Sequence, residues 1–368
     1  MNDNTPNAGL RGELATLCAS VPPADTSAAA AARARLDRLT KPRGSLGQIE
    51  ALLERLAGAT GHVCPTIARP VVLLAAADHG VAAEGVSAYP REVTAQMVHN
   101  YLAGGAAINA LAANAGARLV VLDAGVDADL PEGPDLPRLG IRRGSGNIAR
   151  EPAMTDDEAL RALLGGAARA GELADAGADL LALGEMGIGN TTPAAAITSA
   201  VTGAPPDYTV GRGTGIDDAT LARKVAVVAA ALARWRSVGA PADGVGLLAQ
   251  LGGLEIATLA GATLGAAARR VPILLDGYIT AAAALAAVAL APTVRDHLIA
   301  AHCSAEPGHA IALEHLGLSE AHGAGPLLRL GLRLGEGSGA ALAIPLITGA
   351  TRLMREMATF DEAGVAEG

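Results

Sequence analysis

The residues best suited to chemistry are concentrated in one stretch, Asp179 to Ala196, with the sequence DLLALGEMGIGNTTPAAA. It predicts a buried strand, a glycine-rich turn and the start of a helix in direct succession. Gly187 and Gly189 permit close backbone approach or a positive φ angle. The free N–H groups of such a turn can face an anion. The stretch therefore indicates an anion-binding site, and a plain strand-to-helix turn is the alternative because short motifs are weak signals.

Glu185 is the unusual member of this stretch, because a carboxylate inside a phosphate site repels the phosphate. We expect it to serve another part of a ligand, such as ribose hydroxyls or a cationic ring. On the alternative interpretation it is only an exposed side chain of the turn. The residues that follow suit a helix start, with N-cap candidates and then a proline for the first helical position: Asn190, Thr191, Thr192 and Pro193.

Other polar residues follow predicted strands, and α/β proteins bind ligands at the carboxyl ends of such strands. Asp78 follows the apolar run PVVLLAAA, and Asp276 ends the run VPILLD. A second glycine loop, VGRGTG, precedes a helix that carries Lys224. This lysine is either an ordinary surface residue or a phosphate partner. The segment RRGSGN at 142–147 is either an anion loop or a turn, and we favour the turn.

Predicted strands alternate with predicted helices along most of the chain, which indicates an α/β fold with a parallel, Rossmann-like sheet and helices on both faces. We expect residues 66–325 to form this large domain. Residues 1–65 and 326–368 are expected to contribute a smaller helical domain, within which residues 10–39 read as helical. The last segment should contain a glycine-rich turn, a helix returning to the small domain and a disordered acidic tail.

Composition places this chain of 368 residues among soluble globular proteins, since 51% of its residues are hydrophobic and 18% are charged. A net charge of −9 argues against a general nucleic-acid surface. The apolar stretch at 277–294 raises the question of a membrane span. Its alanine content and Pro292 favour a buried helix instead.

The cysteines are too few and too scattered for a disulfide framework, which is compatible with a reducing cytoplasm, and no export signal is visible at the N-terminus. We therefore expect a cytoplasmic protein. His302, Cys303 and His309 would suit zinc, but no other cluster completes a tetrahedral set by sequence. We expect no metal and no cofactor.

Several segments together resemble the nicotinate-nucleotide–dimethylbenzimidazole phosphoribosyltransferase family, which builds the lower-ligand nucleotide of cobalamin. The resemblance runs from about Lys41 to Met354. It rests on the following segments, which occur in the family's order: KPRGSLGQIE, AADHGVAAEGVSAYP, GEMGIGNTT, GRGTG, LGGLEIATLAG, LLDGYITAAAAL, AHCSAEPGH and LRLGEGSGAAL. Each segment alone is a weak signal, but the set is highly specific. It implies transfer of the phosphoribosyl group of nicotinate mononucleotide to dimethylbenzimidazole, without a cofactor.

The resemblance also implies roles for individual residues. It makes Glu336, in the LGEGSG turn, the general base and Glu185 the second important carboxylate. Glu336 lies between glycines after an apolar run, so we expect partial desolvation to raise its pKa. The resemblance places Gly187 and Lys224 at the nucleotide phosphate.

Further substrate-binding residues follow from the same resemblance. Ser304, with Asp276 nearby, would reach the phosphate from the other subunit of a homodimer. Asn190 and Thr191 are additional candidates in the central turn. The benzimidazole pocket would be lined by Ser87, Gln96 and Leu334.

Two other functions compete with this interpretation. A dinucleotide-dependent oxidoreductase would suit the α/β pattern, but GEMGIGN lacks the GxGxxG spacing and no first βα unit has the acidic residue expected about 20 residues further on. A non-catalytic nucleotide-binding or sensor protein of the same fold is the second alternative. The presence of both Glu185 and Glu336 argues against it.

Overall fold

A five-stranded parallel sheet lies at the centre of the protein, whose computed structural model describes residues 7–213, 215–239 and 243–366. The strands are β1 (Pro70–Ala77), β2 (Arg118–Gly125), β3 (Leu180–Met186), β4 (Ile273–Leu275) and β5 (Leu298–Ala300). Their order across the sheet is β2-β1-β3-β4-β5, and every neighbouring pair is parallel. This order is a doubly wound arrangement, with its topological switch point between β1 and β3. The predicted α/β fold is confirmed.

Helices cover both faces of the sheet. The α-helices of the described residues are α1 (Ala8–Ser20), α2 (Thr26–Arg38), α3 (Gln48–Thr60), α4 (Val93–Leu102), α5 (Ala107–Asn114), α6 (Asp156–Asp175), α7 (Thr191–Thr202), α8 (Pro206–Thr209), α9 (Asp218–Ser237), α10 (Gly244–Leu251), α11 (Leu254–Ala267), α12 (Tyr278–Leu290), α13 (Pro307–His315), α14 (Ser338–Glu356) and α15 (Phe360–Ala363). Short 3₁₀ helices lie at Gly80–Glu84, Pro292–His297 and Glu320–His322.

Strand β1 shows why both faces are covered, because all eight of its residues are buried. Alternate side chains of a strand point to opposite faces. Leu73 and Ala75 accordingly join the core formed with α6, α7 and α9 to α13, whereas Leu74 and Ala76 join the core formed with α2 to α5 and α14. A parallel sheet buried on both faces has continuous apolar strands of this kind.

Helices from both ends of the chain pack together on one face of the sheet. Helices α2, α3 and α14 share a hydrophobic core with one another and with that face, whereas Leu14 of α1 joins the core on the other face. Part of the N-terminal segment therefore meets the C-terminal segment. The division into domains at 65/66 and 325/326 stays a prediction, because this core is continuous with the sheet.

Two local expectations are modified and a third is confirmed. The helical segment expected at 10–39 is split into α1 and α2, because Pro22 and Pro23 interrupt it. The tail expected to be disordered contains α15, which the side chain of Thr359 caps by accepting from the N–H of Glu362. The apolar stretch at 277–294 forms the buried helix α12 and a 3₁₀ turn. Among the described residues, no helix has both the length and the apolarity required to cross a bilayer.

Candidate active site

A cavity of about 690 Å³ opens outside the carboxyl ends of the strands, where doubly wound sheets bind ligands. It collects residues that are far apart in sequence. Its lining comes from the segments 86–97, 185–191, 212–224, 277–279, 302–306 and 331–336. Glu185, Lys224, Ser304 and Glu336 all lie on this one cavity within a single chain. The structure therefore brings most of the sequence-predicted site residues together.

Another cleft, of about 840 Å³, contains the residues that precede β1, β3 and β4 but offers less chemistry. Asp175 on its wall is paired with Arg269 at 2.9 Å. The Asp179 carboxylate accepts from the backbone N–H groups of Ala68 and Arg69. These carboxylates already serve the fold, and the cavity at the carboxyl edge is the better candidate for an active site.

The central turn leaves β3 at Met186 and crosses the floor of the cavity. Gly187 is needed for close approach, because a β-carbon there would lie 2.6 Å from the carbonyl oxygen of Ala77. Gly189 is needed for its conformation, since its φ angle is +90°. The side chain of Thr94 holds the turn by accepting from the N–H of Ile188 at 3.1 Å. Of the two reasons expected for these glycines, close backbone approach therefore applies to Gly187 and a positive φ angle applies to Gly189.

The polar residues of the turn serve the site instead of capping α7. Asn190 has helical dihedral angles and makes no side-chain cap; its Nδ2 donates to Oε2 of Glu185. The Oγ1 atom of Thr191 accepts from Nζ of Lys224 at 2.7 Å. Pro193 is the third helical residue and not the first, but it still lies in the first turn, where its lack of an N–H costs no helical hydrogen bond. Asn190 therefore occupies the N-cap position, as predicted, but its side chain does not cap the helix, and Thr191 and Thr192 lie inside α7.

Lys224 lies on α9 with only 1% of its surface exposed. Besides Thr191, its Nζ donates to the carbonyl oxygen of Gly211 at 3.1 Å. No carboxylate of the described residues lies within ion-pair distance of this ammonium. Burial lowers its pKa to about 8, and the charge of Glu306 opposes that shift. An ammonium has three N–H donors, and the described residues occupy two of them, which leaves the third available to a ligand in the cavity.

Glu306 is a buried acid of the cavity wall that the sequence analysis did not select. Its Oε1 atom accepts from the N–H of Gly213 at 2.8 Å and so holds the second glycine loop. Its own N–H donates to Oγ of Ser304 at 3.3 Å. The AHCSAEPGH segment was considered only for zinc and for Ser304. The proximity of Glu306 to the GRGTG loop is a tertiary feature that no local pattern indicates.

Glu336 occupies a turn of unusual backbone conformation. Gly335, Glu336 and Gly337 all have positive φ angles, of +81°, +65° and +86°. The carbonyl group of Glu336 packs on Gly184 of β3, where a β-carbon would lie 2.5 Å from the oxygen. The Glu336 Oε2 atom accepts from the N–H of Ile108, near the start of α5, at 3.4 Å. This carboxylate is thus held between β3 and α5.

Asp276 supports the same turn from below. One of its oxygens accepts from the N–H of Ala340 at 2.9 Å and the other from that of Gly337 at 3.3 Å, so it caps α14. It is 1% exposed and is not one of the residues that line the cavity. The expectation that Asp276 lies at the phosphate is corrected accordingly: it positions the turn that carries Glu336.

The two cavity carboxylates are electrostatically coupled. Burial raises the pKa of Glu185 to about 8; the hydrogen bond from Asn190 opposes this shift, whereas the charges of Asp276, Glu255 and Glu336 add to it. Burial also raises the pKa of Glu336, opposed by the Ile108 N–H and the Tyr101 hydroxyl and reinforced by Asp276. A carboxylate with a raised pKa is a stronger base, which agrees with the expectation for Glu336.

The outer part of the cavity is apolar. Ser87, Tyr89 and Leu334 lie on its wall, and Val93 and Met97 face it from successive turns of α4. Gln96 lies on the same helix, but its side chain is exposed and does not line the cavity of this chain. A helix presents residues four apart on one face, and this places Met97 with Val93 and turns Gln96 away.

Two arginines at the cavity were also missed. Arg212 and Arg333 both line it, and Nη1 of Arg333 donates to the carbonyl oxygen of Gly213 at 3.1 Å. With Lys224 they make this end of the cavity cationic. Arg333 precedes Glu336 by only three residues. This closeness in sequence to a predicted site residue could have indicated that Arg333 also lies at the site.

The histidines considered for zinc have other partners. His309 Nδ1 accepts from the N–H of Ser304 at 2.9 Å, and burial, followed by the charge of His302, lowers the pKa of His309 to about 3. His302 and His309 have ring centres 6.1 Å apart. Within the described part of the chain, no group of three or more His, Cys, Asp or Glu side chains is arranged to hold a metal ion.

Comparisons with known proteins agree with this geometry. A family model described as "Phosphoribosyltransferase" matches residues 21–365. The nicotinate-nucleotide–dimethylbenzimidazole phosphoribosyltransferase of Chloroflexus aggregans is 53% identical over 345 residues, covering 94% of this chain and 96% of that protein. The protein of the same name from Deinococcus radiodurans is 53% identical over 361 residues, covering 96% of each chain. A crystal structure of the Thermus thermophilus enzyme of this name matches with a TM-score of 0.87 at 49% identity, over 94% of this chain and 100% of that one.

Proposed function

The chain belongs to the nicotinate-nucleotide–dimethylbenzimidazole phosphoribosyltransferase family, and we propose that it transfers the phosphoribosyl group of nicotinate mononucleotide to 5,6-dimethylbenzimidazole. The products are α-ribazole 5′-phosphate and nicotinate, and the first supplies the lower-ligand nucleotide of cobalamin. One observation carries the proposal: a buried lysine with a free donor and two buried carboxylates with raised pKa line a single cavity.

The reaction requires one bond to break, one bond to form and one proton to move. In nicotinate mononucleotide the ring nitrogen is cationic, so the C1′–N electron pair neutralises the leaving ring without a general acid. A lone pair on one nitrogen of dimethylbenzimidazole attacks C1′. The N–H on its other nitrogen must then lose its proton, since otherwise the product base would be cationic. One carboxylate is sufficient for this step.

Lys224 and the central turn hold the phosphate in this proposal. The free donor of the ammonium offers a charge-assisted hydrogen bond to a phosphate oxygen. Arg212 and Arg333 strengthen the positive potential at that end of the cavity. Backbone N–H groups of the turn at Gly187, together with Asn190, Thr191 and Ser304, complete the contacts. Because Ser304 shares this cavity with Lys224 in one chain, it need not come from a second subunit.

Glu336 is the proposed general base, and Glu185 supports the ribose. The raised pKa of Glu336 suits proton abstraction from an azole N–H. Glu185 has a pKa of about 8 in the free chain, so it is mostly protonated at neutral pH. A bound pyridinium ring favours its ionised form. That carboxylate then stabilises the positive charge that develops on the ribose as the bond to nicotinate loosens.

The apolar outer wall is the proposed benzimidazole pocket, formed by Ser87 and Leu334 together with Met97. Attack from the face opposite the leaving nicotinate inverts the anomeric centre and gives the α-nucleotide. We keep Gln96 as a candidate only for a contact made in a larger assembly, because it does not reach the cavity of a single chain.

We further propose a homodimer and a cytoplasmic location. Tyr89, Leu330 and Leu334 are 53%, 58% and 56% exposed, and a second copy covering them would remove an apolar surface from water. Light scattering should give twice the chain mass; a fully active monomer would contradict the dimer. The cytoplasmic location is supported by Cys18, Cys64 and Cys303, which are all free thiols.

Nicotinate release tests the proposed function. The protein is mixed with nicotinate mononucleotide and dimethylbenzimidazole, and free nicotinate and α-ribazole 5′-phosphate are quantified by chromatography. Both products should appear in equal amounts and only when both substrates are present. Binding of the mononucleotide without product would instead support the non-catalytic alternative, which no observation of the cavity favours.

A further inference from the structure

We propose that His79 and Glu255, neither of which lines the cavity, act as a positioning pair that holds the Gly187 turn in its substrate-binding position. Both side chains are almost fully buried, with exposures of 1% and 0%. This inference rests on the proposed function, because that function gives the turn its role.

The pair joins two elements that meet at the switch point of the sheet. His79 lies just beyond the carboxyl end of β1, and Glu255 lies in the first turn of α11. The His79 Nε2 atom is 2.7 Å from Oε1 of Glu255. A carboxylate only accepts hydrogen bonds, so Nε2 carries the hydrogen of this bond. The Oγ atom of Ser145 lies 3.5 Å from Nδ1, at the outer limit for a hydrogen bond.

The imidazole ring is packed between two glycines. A β-carbon at Gly187 would lie 3.0 Å from His79 Nε2, so the turn rests on the ring. On the other side, a β-carbon at Gly253 would overlap Cε1 of the ring. The hydrogen bond to Glu255 prevents the ring from rotating within this space. His79 is thus a fixed support beneath the residue that binds the phosphate.

The turn needs such support because its own backbone forms few hydrogen bonds to the rest of the protein. Its N–H groups at Asn190 and Thr192 bond within the turn, to Gly187 and Gly189. Its outside contacts include the Thr94 hydroxyl at Ile188 on one side and the His79 ring at Gly187 on the other. A shift of about 1 Å in a binding element can cost roughly 10²-fold in rate. Loss of the ring therefore weakens the nucleotide site first.

Glu255 has a second, separable effect. Its charge is one of those that raise the pKa of Glu185. The acids that face Glu185 are Asp276 beyond β4, Glu336 in the LGEGSG turn and Glu255 on α11, with His79 just beyond β1 bound to Glu255. Removing the Glu255 charge should move the ionisation of Glu185 to lower pH, which a merely structural role would not do.

Two conservative variants test the pair. In His79→Gln the amide still donates to Glu255, but the flat ring beneath Gly187 is lost. We expect the KM for nicotinate mononucleotide to rise about ten- to a hundredfold while that for dimethylbenzimidazole stays within about twofold. In Glu255→Gln the carbonyl still accepts from His79, so the mononucleotide KM should change by no more than about threefold. The acidic limb of kcat/KM should move to lower pH.

Glu50→Gln is the matched control, because Glu50 is also a buried acid, 2% exposed, paired at 2.7 Å with Lys41 but far from the cavity. It should leave both KM values and the pH profile unchanged. The inference is overturned if His79→Gln raises both KM values equally or neither, or if Glu255→Gln retains the wild-type acidic limb. Absence of nicotinate release by the wild-type protein would instead contradict the proposed function itself.

Discussion

The carboxylate of Glu185 lies directly against the α-carbon of Gly335, and a β-carbon at that position would overlap Oε1. This contact joins the central turn to the turn that carries Glu336. Gly335 also has a φ angle of +81°, which residues other than glycine rarely adopt. The spacing between the two cavity carboxylates therefore depends on a residue without a side chain.

We predict that Gly335→Ala reduces kcat by about 10²-fold or more, because the added methyl group displaces Glu185 from its position. Gly331→Ala is the matched control: Gly331 has a φ angle of +67° on the same segment, but no atom of the described residues lies within 4 Å of its β-carbon position. Both variants should lose similar stability from the positive φ angle. If thermal unfolding shows equal losses and kcat also falls equally, the contact with Glu185 has no catalytic importance.

Glu336→Gln should reduce kcat by about 10²–10⁴-fold while both substrates still bind. The amide preserves the shape of the side chain but cannot accept the proton. Single-turnover kinetics and calorimetry of each substrate measure the two effects separately. Glu320→Gln, at an exposed position, is the control and should leave kcat unchanged. Turnover within a few-fold of the wild type would remove Glu336 as the base and make Glu185 the next residue to test.

In a Glu185→Gln background, which removes the other group that titrates near pH 8, the affinity for nicotinate mononucleotide should fall as the pH rises through about 8, the pKa of Lys224. Deprotonation removes the charge that attracts the phosphate, whereas binding of a neutral base is unaffected. When Lys224→Ala is added in that background, binding of the mononucleotide should weaken about ten- to a hundredfold, and its inflection near pH 8 should disappear.

Calorimetric titrations at several pH values provide the measurement. The chain's other lysine, Lys41, is paired with Glu50 away from the cavity, so Lys41→Ala should keep the inflection. Equal weakening of both substrates by Lys224→Ala would show that this lysine has only a structural role.

Stability should fall as the pH rises from about 4.5 to about 8, because Glu185 has a raised pKa in the folded chain. In this range the folded state binds more protons than the unfolded state, so the free energy of unfolding decreases with pH. Glu185→Gln cannot titrate and should be more stable than the wild type above this range, by roughly 2–4 kcal/mol. Denaturant unfolding at a series of pH values tests this, with the exposed Glu13→Gln as control. A wild-type slope retained in Glu185→Gln would assign the effect to another acid.

The sequence was most informative about features that depend on residues close together in the chain. The apolar run Leu180–Leu183 predicted β3, and the polar residues after it predicted the position of the cavity edge. The segments that carry Glu336 and Ser304 each resembled a family motif, Lys224 lies on the helix that follows the GRGTG motif, and the structure places all three on one cavity. Their roles in the reaction remain predictions.

Tertiary contacts explain what the sequence did not indicate. Asp276 was assigned to the phosphate, but the N–H groups of Gly337 and Ala340, more than 60 residues away, use its carboxylate. Asn190 was assigned to a helix cap, but it donates to Glu185 instead. In both cases a local pattern identified a polar residue correctly. For Asp276 the packing of distant segments decides which partner it has, whereas for Asn190 the conformation of the turn itself brings it to Glu185.

The left-handed conformation of Glu336 has a consequence for the history of this fold. A side chain at a φ angle of +65° costs about 1–2 kcal/mol relative to glycine, which is not less than the net gain of about 1 kcal/mol from its hydrogen bond to the Ile108 N–H, and the proposed reaction supplies the further reason for a carboxylate there. A lineage that no longer needs the reaction would gain stability by replacing Glu336 with glycine or asparagine. The residue at this position should therefore distinguish relatives that have remained enzymes from relatives that only bind nucleotides.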